Sequence, residues 1–152
     1  MSRMNVLTVE WCISPRRPHL VAAEFIVDGR PLLEHCERAT GRTYDLVSPF
    51  GWTPPDCQRV LAERILLRGP PLLPTGRLEF LVCPECGDLG CGCISAIVNV
   101  EEGHYIWSEL GYENDYDPGS LFLFPMGKFI FPEESVIQLL IGFVPGLSLP
   151  TG

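Results

Sequence analysis

The fold of this chain is decided by residues 78–107, which read LEFLVCPECGDLGCGCISAIVNVEEGHYIW. Leu78, Phe80 and Val82 occupy alternate positions, which is the period of a β-strand. Residues 94–100 are rich in β-branched side chains, and the EEG sequence after them predicts a turn into a further strand. We therefore expect a short loop with four cysteines to join two neighbouring antiparallel strands.

Two more strands are predicted near the start of the chain. Residues 7–13 alternate polar and apolar side chains, as a half-buried strand does. After a break at residues 14–18, residues 21–27 repeat the pattern, and we expect the two strands to pair antiparallel. The apolar face of the first strand is expected to carry Leu7, Val9, Trp11 and Ile13.

Helices are predicted in three places. Residues 31–40 follow the Asp28-Gly29 turn, and Gly41 stands where a C-terminal cap belongs. A second helix is expected to begin near Thr53, whose side chain could accept a hydrogen bond from a first-turn backbone N–H. A third is expected after Pro132, because two glutamates would fill its first turn.

The whole chain, residues 1–152, is predicted to be one globular domain. Its 152 residues are 46% hydrophobic and 20% charged, which allows one core and argues against disorder. Residues 121–124 and 128–131 are expected to form a late hairpin. The predicted class is α+β, with a mostly antiparallel sheet, two to three helices and a cysteine-rich hairpin loop.

The charge and the ends of the chain bear on compartment and partner. A net charge of −8 repels nucleic acid, so no nucleic-acid partner is expected. Residues 1–13 lack the apolar run of a signal peptide, and the apolar run at 136–144 is too short to cross a bilayer. A cytoplasmic protein without membrane contact is therefore expected. In a reducing compartment, metal binding or free thiols are favoured over structural disulfides.

The cysteine loop has the composition of a metal site. Two residues separate Cys83 from Cys86, so both sulfurs can face one ion, and Gly87 allows the backbone to turn its N–H groups toward them. Cys91 and Cys93 offer two further thiolates. Four thiolates around zinc would form a closed structural site without an open position for catalysis.

Other chemistry is compatible with the same cysteines. Cys83 and Cys86, or Cys91 and Cys93, could act as a redox dithiol, although such motifs usually open a helix. Cys83 and Cys93, at the two feet of the loop, could also be close enough for a disulfide. Free thiols in a glycine-shaped turn are the remaining alternative.

A second segment of interest follows, at residues 109–117, which read ELGYENDYD. Its acidic and aromatic composition predicts a contact surface for a basic protein, because tyrosine is enriched at interfaces. Acid–base chemistry, calcium binding and a merely solvated loop are the alternatives. The predicted contact residues are Glu109, Tyr112, Glu113, Asp115, Tyr116 and Asp117.

Three segments carry a resemblance to a group of small uncharacterised bacterial proteins. They are CPECGDLGCG at residues 83–92, WSELGYE at 107–113 and DLVSPFG at 45–51. The pattern of that group ends with the glycine after the third cysteine and does not require Cys93. The resemblance implies no particular activity.

The function expected from these features is non-catalytic binding. No phosphate loop, dinucleotide fingerprint or catalytic triad is present in the sequence. A small acidic protein of the immunity or inhibitor type, with a structural zinc loop and a basic protein partner, is therefore predicted. The alternative is a thiol-disulfide oxidoreductase that uses Cys83 and Cys86.

Overall fold

The computed structural model describes residues 3–14 and 17–148 of the chain. Two antiparallel sheets and three α-helices make up this part, so the predicted α+β class is confirmed. The predicted break between the first two strands includes residues 15 and 16, which lie outside the described residues.

The first sheet has three strands in the order β1-β2-β3: β1 (Leu7–Ser14), β2 (Arg17–Val27) and β3 (Arg30–Pro31). The predicted antiparallel pairing of β1 with β2 is confirmed. Asp28 and Gly29 form the turn before β3 with positive φ values of 52° and 80°. The Asp28 carboxylate holds this turn by accepting hydrogen bonds from the backbone N–H of Val6 and the side chain of Asn5.

The face of β1 is only partly buried, which differs from the prediction. Leu7 is buried, but Trp11 is 59% exposed and Ile13 is 65% exposed. The ring of Trp11 lies against the backbone at Gly51, where an added Cβ would be 2.6 Å from Cζ3 of the ring. Trp11 therefore covers a loop instead of entering the core.

The second sheet has five strands: β4 (Leu78–Leu81), β5 (Cys93–Glu101), β6 (His104–Glu113), β7 (Phe122–Leu123) and β8 (Phe129–Pro132). β4, β5 and β6 form the predicted meander, with the cysteine loop between β4 and β5. The predicted hairpin of residues 121–124 and 128–131 is wrong. β7 and β8 do not pair with each other. Each pairs with a different part of β6, which is long enough to accommodate both.

The three helices are α1 (Leu32–Thr40), α2 (Pro55–Ile65) and α3 (Glu133–Phe143). Gly41 ends α1 in the left-handed conformation at φ 70°, as predicted. The predicted cap of α2 is wrong: Pro54 is the N-cap residue and no side chain caps the helix. Thr53 instead donates its hydroxyl hydrogen to the carbonyl of Pro49.

Aromatic side chains join the two sheets in one core. Trp107 of β6 is fully buried, with ring centroids 4.4 Å from Phe80, 4.8 Å from Phe131 and 5.4 Å from Phe25. Phe25 belongs to β2, so this contact connects the first sheet to the second. Such rings contribute both large buried area and favourable edge-to-face geometry. The core therefore gives the cysteine loop a rigid base where β4 ends and β5 begins.

Candidate metal centre and the acidic loop beside it

The cysteine loop, residues 83–92, begins with a tight turn. The backbone N–H of Gly87 donates to the carbonyl of Cys83 at 2.9 Å, and Gly87 has the positive φ of 68° expected from the sequence. The next N–H, that of Asp88, points to the sulfur of Cys86 at 3.4 Å. A hydrogen bond of this kind orients a ligand atom, so this N–H suits the Cys86 sulfur to act as a metal ligand.

A single 3₁₀ turn at Leu89–Cys91 completes the loop. The Asp88 carboxylate starts this turn by accepting a hydrogen bond from the N–H of Gly90 at 2.8 Å. Leu89 is buried in a small apolar cluster with Leu73 and Val82. The turn thus anchors one end of the loop while its cysteine, Cys91, stays exposed.

Three of the four predicted ligands come together. The sulfurs of Cys83, Cys86 and Cys91 all lie within 4.8 Å of one another, and those of Cys86 and Cys91 are 3.5 Å apart. All three are free thiols in the structure. These distances match ligands that share one ion, so the three cysteines are close enough to bind a metal.

The surroundings shift the pKa values of Cys83 and Cys91 in opposite directions. Burial alone would raise the pKa of Cys83, but hydrogen bonds from the N–H groups of Cys86 and Glu85 and from neighbouring thiols lower it below its usual value. The Cys86 thiol, by its hydrogen bond and its charge, raises the pKa of Cys91 to about 11. Sulfurs this close resist simultaneous ionisation, and a bound cation would relieve that repulsion.

Cys93 lies outside this group, so the structure brings together three of the four predicted thiolates. Its side chain is fully buried in the first position of β5, and burial raises its pKa to about 12. Gly92, at φ 95°, changes the direction of the chain between Cys91 and Cys93. In one extended strand, Cys91 and Cys93 would share a face. Because the chain turns at Gly92, they do not.

The three-thiolate set fits a soft or borderline cation. Zinc accepts thiolate ligands, and it usually has four protein ligands in structural sites or three plus a water in catalytic ones. Within residues 3–14 and 17–148, no further His, Cys, Asp or Glu joins the group. A tetrahedral ion would therefore have one position for a ligand from outside this set.

The predicted contact residues divide into exposed and buried ones. Glu109, Asp115 and Asp117 are exposed, and Tyr116 is 74% exposed. Tyr112 is half-buried, and its ring stacks on Tyr44 with centroids 5.8 Å apart. We define the acidic loop as residues 112–120, and its accessible contact side chains are Asp115, Tyr116 and Asp117.

Glu113 is wrong as a contact residue because it is completely buried. Its carboxylate pairs with the guanidinium of Arg77 at 3.1 Å and accepts hydrogen bonds from the hydroxyls of Thr75 and Ser95. Arg77 also donates to the backbone carbonyls of Ser95 and Glu109. The pair thus forms a satisfied polar network beneath the loops.

The acidic loop and the cysteine loop touch each other. A Cβ added to Gly90 would lie 3.2 Å from Cε1 of Tyr116 and 3.6 Å from Oδ1 of Asp115. The Tyr112 hydroxyl donates to the carbonyl of Cys91 at 3.4 Å. The position of the acidic loop therefore depends on the conformation of the cysteine loop.

Sequence reasoning missed a second buried pair, Arg64 with Glu79, which lines a cavity next to the cysteine loop. One signal was present in the sequence. Arg64 falls on the same helical stripe as Leu61, and a charge on an apolar stripe needs a buried partner. Its partner in β4 could not be found from local pattern alone.

Comparison with protein-family models, with curated proteins and with solved structures finds no match for this chain. Among the helices of the described residues, none has the length and apolar character to cross a membrane.

Proposed function

We propose that this chain is a non-catalytic, immunity- or inhibitor-like protein that binds a basic protein partner through its acidic loop. We further propose that zinc bound by Cys83, Cys86 and Cys91 fixes the cysteine loop, which supports the acidic loop from one side. The proposal places the protein in the cytoplasm, where thiolates remain reduced and available to zinc.

The observation that carries the proposal is the contact between the two loops. Gly90 lies in the 3₁₀ turn that ends at Cys91, and it packs against Asp115 and Tyr116. A metal held by Cys91 would restrict this turn and with it the surface that the acidic loop presents. Pre-organised loops bind more tightly because less conformational entropy is lost on association.

The exposed chemistry of the acidic loop favours a cationic partner. Asp115 and Asp117 flank Tyr116, which offers a large exposed ring between two carboxylates. Tyrosine often anchors protein interfaces, and exposed carboxylates raise the rate of encounter with a basic surface. The net charge of −8 acts in the same direction.

Affinity capture tests the binding proposal. The wild-type protein and the variant Asp115→Lys/Asp117→Lys would be immobilised, and the retained proteins identified by mass spectrometry. The matched control is Glu101→Lys/Glu102→Lys, which makes the same charge change at the other end of the β5–β6 hairpin. We expect a basic protein that is retained by the wild type and the control but lost by the Asp115/Asp117 variant.

The proposal fails if no protein distinguishes the Asp115/Asp117 variant from the control. It also fails if the retained protein is acidic or if its association rate is unaffected by salt, because attraction between exposed charges is screened by salt. Circular dichroism of each variant shows whether the domain remains folded.

One observation favours a second candidate, thiol-disulfide exchange. The sulfurs of Cys86 and Cys91 are 3.5 Å apart and both residues are exposed. A dithiol here, or at Cys83 and Cys86, would pass two electrons to a substrate disulfide and become a disulfide itself. Catalysis of insulin reduction by dithiothreitol that is abolished in Cys86→Ser, which removes the thiol common to both pairs, would support this candidate and contradict the binding proposal.

A further inference from the structure

A cavity of about 450 Å³ lies between α2 and the cysteine loop. Its volume falls within the usual range for small-molecule sites. Apolar side chains from both sides line most of it: Val60 and Leu61 of α2 face Leu72, Val82 and Leu89. Cys86 and Gly87 of the cysteine loop also line it, but neither the metal proposal nor the acidic loop assigns a role to the cavity itself.

Two buried charges also line the cavity. The side chains of Arg64 and Glu79 are each only 6% exposed, and Nη1 of Arg64 is 3.4 Å from Oε2 of Glu79. Nevertheless Nε and Nη1 of Arg64 and Oε1 of Glu79 have no hydrogen-bond partner among the described residues. Buried polar groups without partners are costly, so a hydrogen-bond partner for these atoms would stabilise the folded chain.

The other buried pair described above, Arg77 with Glu113, provides an internal comparison. Arg77 and Glu113 are as deeply buried, but their ion pair has further hydrogen bonds. Arg77 donates to the hydroxyl and the carbonyl of Ser95, and Glu113 accepts from the hydroxyl of Thr75. Arg77 and Glu113 do not line the cavity. The unpaired atoms are therefore found in the pair that lies beside empty space, and not in the pair that is fully packed.

We propose that this cavity binds a small, uncharged, largely apolar molecule with an amide or lactam group. The carbonyl oxygen of that group would accept a hydrogen bond from Arg64, and its N–H would donate to Glu79. This inference goes beyond the proposed function and uses different residues to bind.

The charges of the pair select the ligand class. A carboxylate ligand would satisfy Arg64 but meet repulsion from Glu79, and an amine would satisfy Glu79 but meet repulsion from Arg64. An amide has one acceptor and one donor side by side and adds no charge to a buried site. The unpaired atoms are themselves covered from solvent, so a ligand must turn one of these side chains toward the cavity.

Titration of benzamide into the ¹⁵N-labelled, zinc-supplemented chain of 152 residues tests the inference by NMR. We expect saturable shifts of amide resonances in α2 and at residues 86–89. Benzoate and benzylamine, which have the same ring, should bind at least tenfold more weakly. Absence of saturable shifts, or equal binding of either charged analogue, would overturn the inference.

Two variants connect the binding to the cavity. Arg64→Met/Glu79→Leu removes the pair without leaving a lone charge, and we expect at least a tenfold loss of benzamide affinity. The matched control, Arg38→Met/Glu34→Leu, removes an exposed ion pair of α1 and should bind as the wild type does. If the first variant does not fold, Val60→Trp decides the matter, because Val60 is 46% exposed at the rim and a larger side chain there would obstruct the cavity. Benzamide binding by either folded variant at wild-type affinity would contradict the assignment.

Discussion

Cys93 of β5 lies directly opposite Glu113 of β6, and both side chains are completely buried. The pair marks the boundary between the core of the second sheet and the two loops beyond it. Two residues from this pair on the loop side of each strand, Cys91 and Asp115 are exposed. The polar network of Glu113 therefore forms the base on which both loops rest.

Loss of the Glu113 carboxylate should destabilise the fold strongly. In Glu113→Ala the guanidinium of Arg77 would remain buried without its counter-charge. We expect the free energy of unfolding to fall by about 3–5 kcal/mol in urea denaturation. The exposed control Glu101→Ala should change it by less than about 0.5 kcal/mol. A loss below about 1 kcal/mol for Glu113→Ala would show that the network contributes little.

Metal content should separate Cys93 from the three clustered cysteines. Cys86→Ser is expected to lose bound zinc, because it removes one of three adjacent sulfurs. Cys93→Ala should keep the zinc while losing about 1 kcal/mol of stability through the small cavity that it creates. Cys57→Ser, at an exposed cysteine outside the group, serves as the control. Elemental analysis that finds zinc lost in Cys93→Ala would restore the four-thiolate site.

Gly92 is required between the cysteine loop and β5. A Cβ at this position would lie 1.9 Å from Oη of Tyr112, and the backbone has a φ of 95°. We expect Gly92→Ala to lower the unfolding free energy by at least about 2 kcal/mol. Gly127→Ala is the matched control, since nothing lies within 4 Å of an added Cβ there. Equal stability of the two variants would be incompatible with the observed packing of Tyr112.

Glu24 should make stability depend on pH. Burial raises the pKa of this carboxyl from 4.5 to about 7, although hydrogen bonding to the Ser48 N–H opposes the rise. The folded state thus holds the proton more tightly than the unfolded state. Its stabilising contribution is complete below pH 4.5 and is lost as the pH rises through about 7.

The variant Glu24→Gln should remove this dependence. Between pH 5 and pH 8 the wild type is expected to lose about 1–3 kcal/mol more unfolding free energy than the variant. Glu101→Gln, at an exposed site, should follow the wild-type curve. Parallel curves for the wild type and Glu24→Gln would mean that Glu24 titrates alike in the folded and unfolded states.

The sequence predicts local features of this protein better than its long-range pairings. The turn from Cys83 to Gly87 is confirmed because its hydrogen bonds and its positive φ involve only five consecutive residues. The late hairpin is wrong because β7 and β8 both pair with β6, a strand that local alternation could not identify as their common partner.

The candidate site follows the same rule. The acidic composition around Glu113 favours an exposed loop, but its side chain is buried by pairing with Arg77, 36 residues away. Cys93 is only two residues from Cys91, yet the turn at Gly92 separates their side chains. Residue type and spacing were sufficient to identify the three clustered cysteines. The burial of Cys93 and Glu113 depends on tertiary contacts that local sequence does not contain.

Hydrogen–deuterium exchange with and without zinc tests most directly whether a metal in the cysteine loop orders the acidic loop. The account predicts that the purified chain contains zinc and that its removal by a chelator speeds exchange at residues 83–92 and also at 112–120. Exchange at the distant turn of residues 101–103 should remain unchanged. Absence of bound zinc, or faster exchange in the cysteine loop alone, would contradict the account.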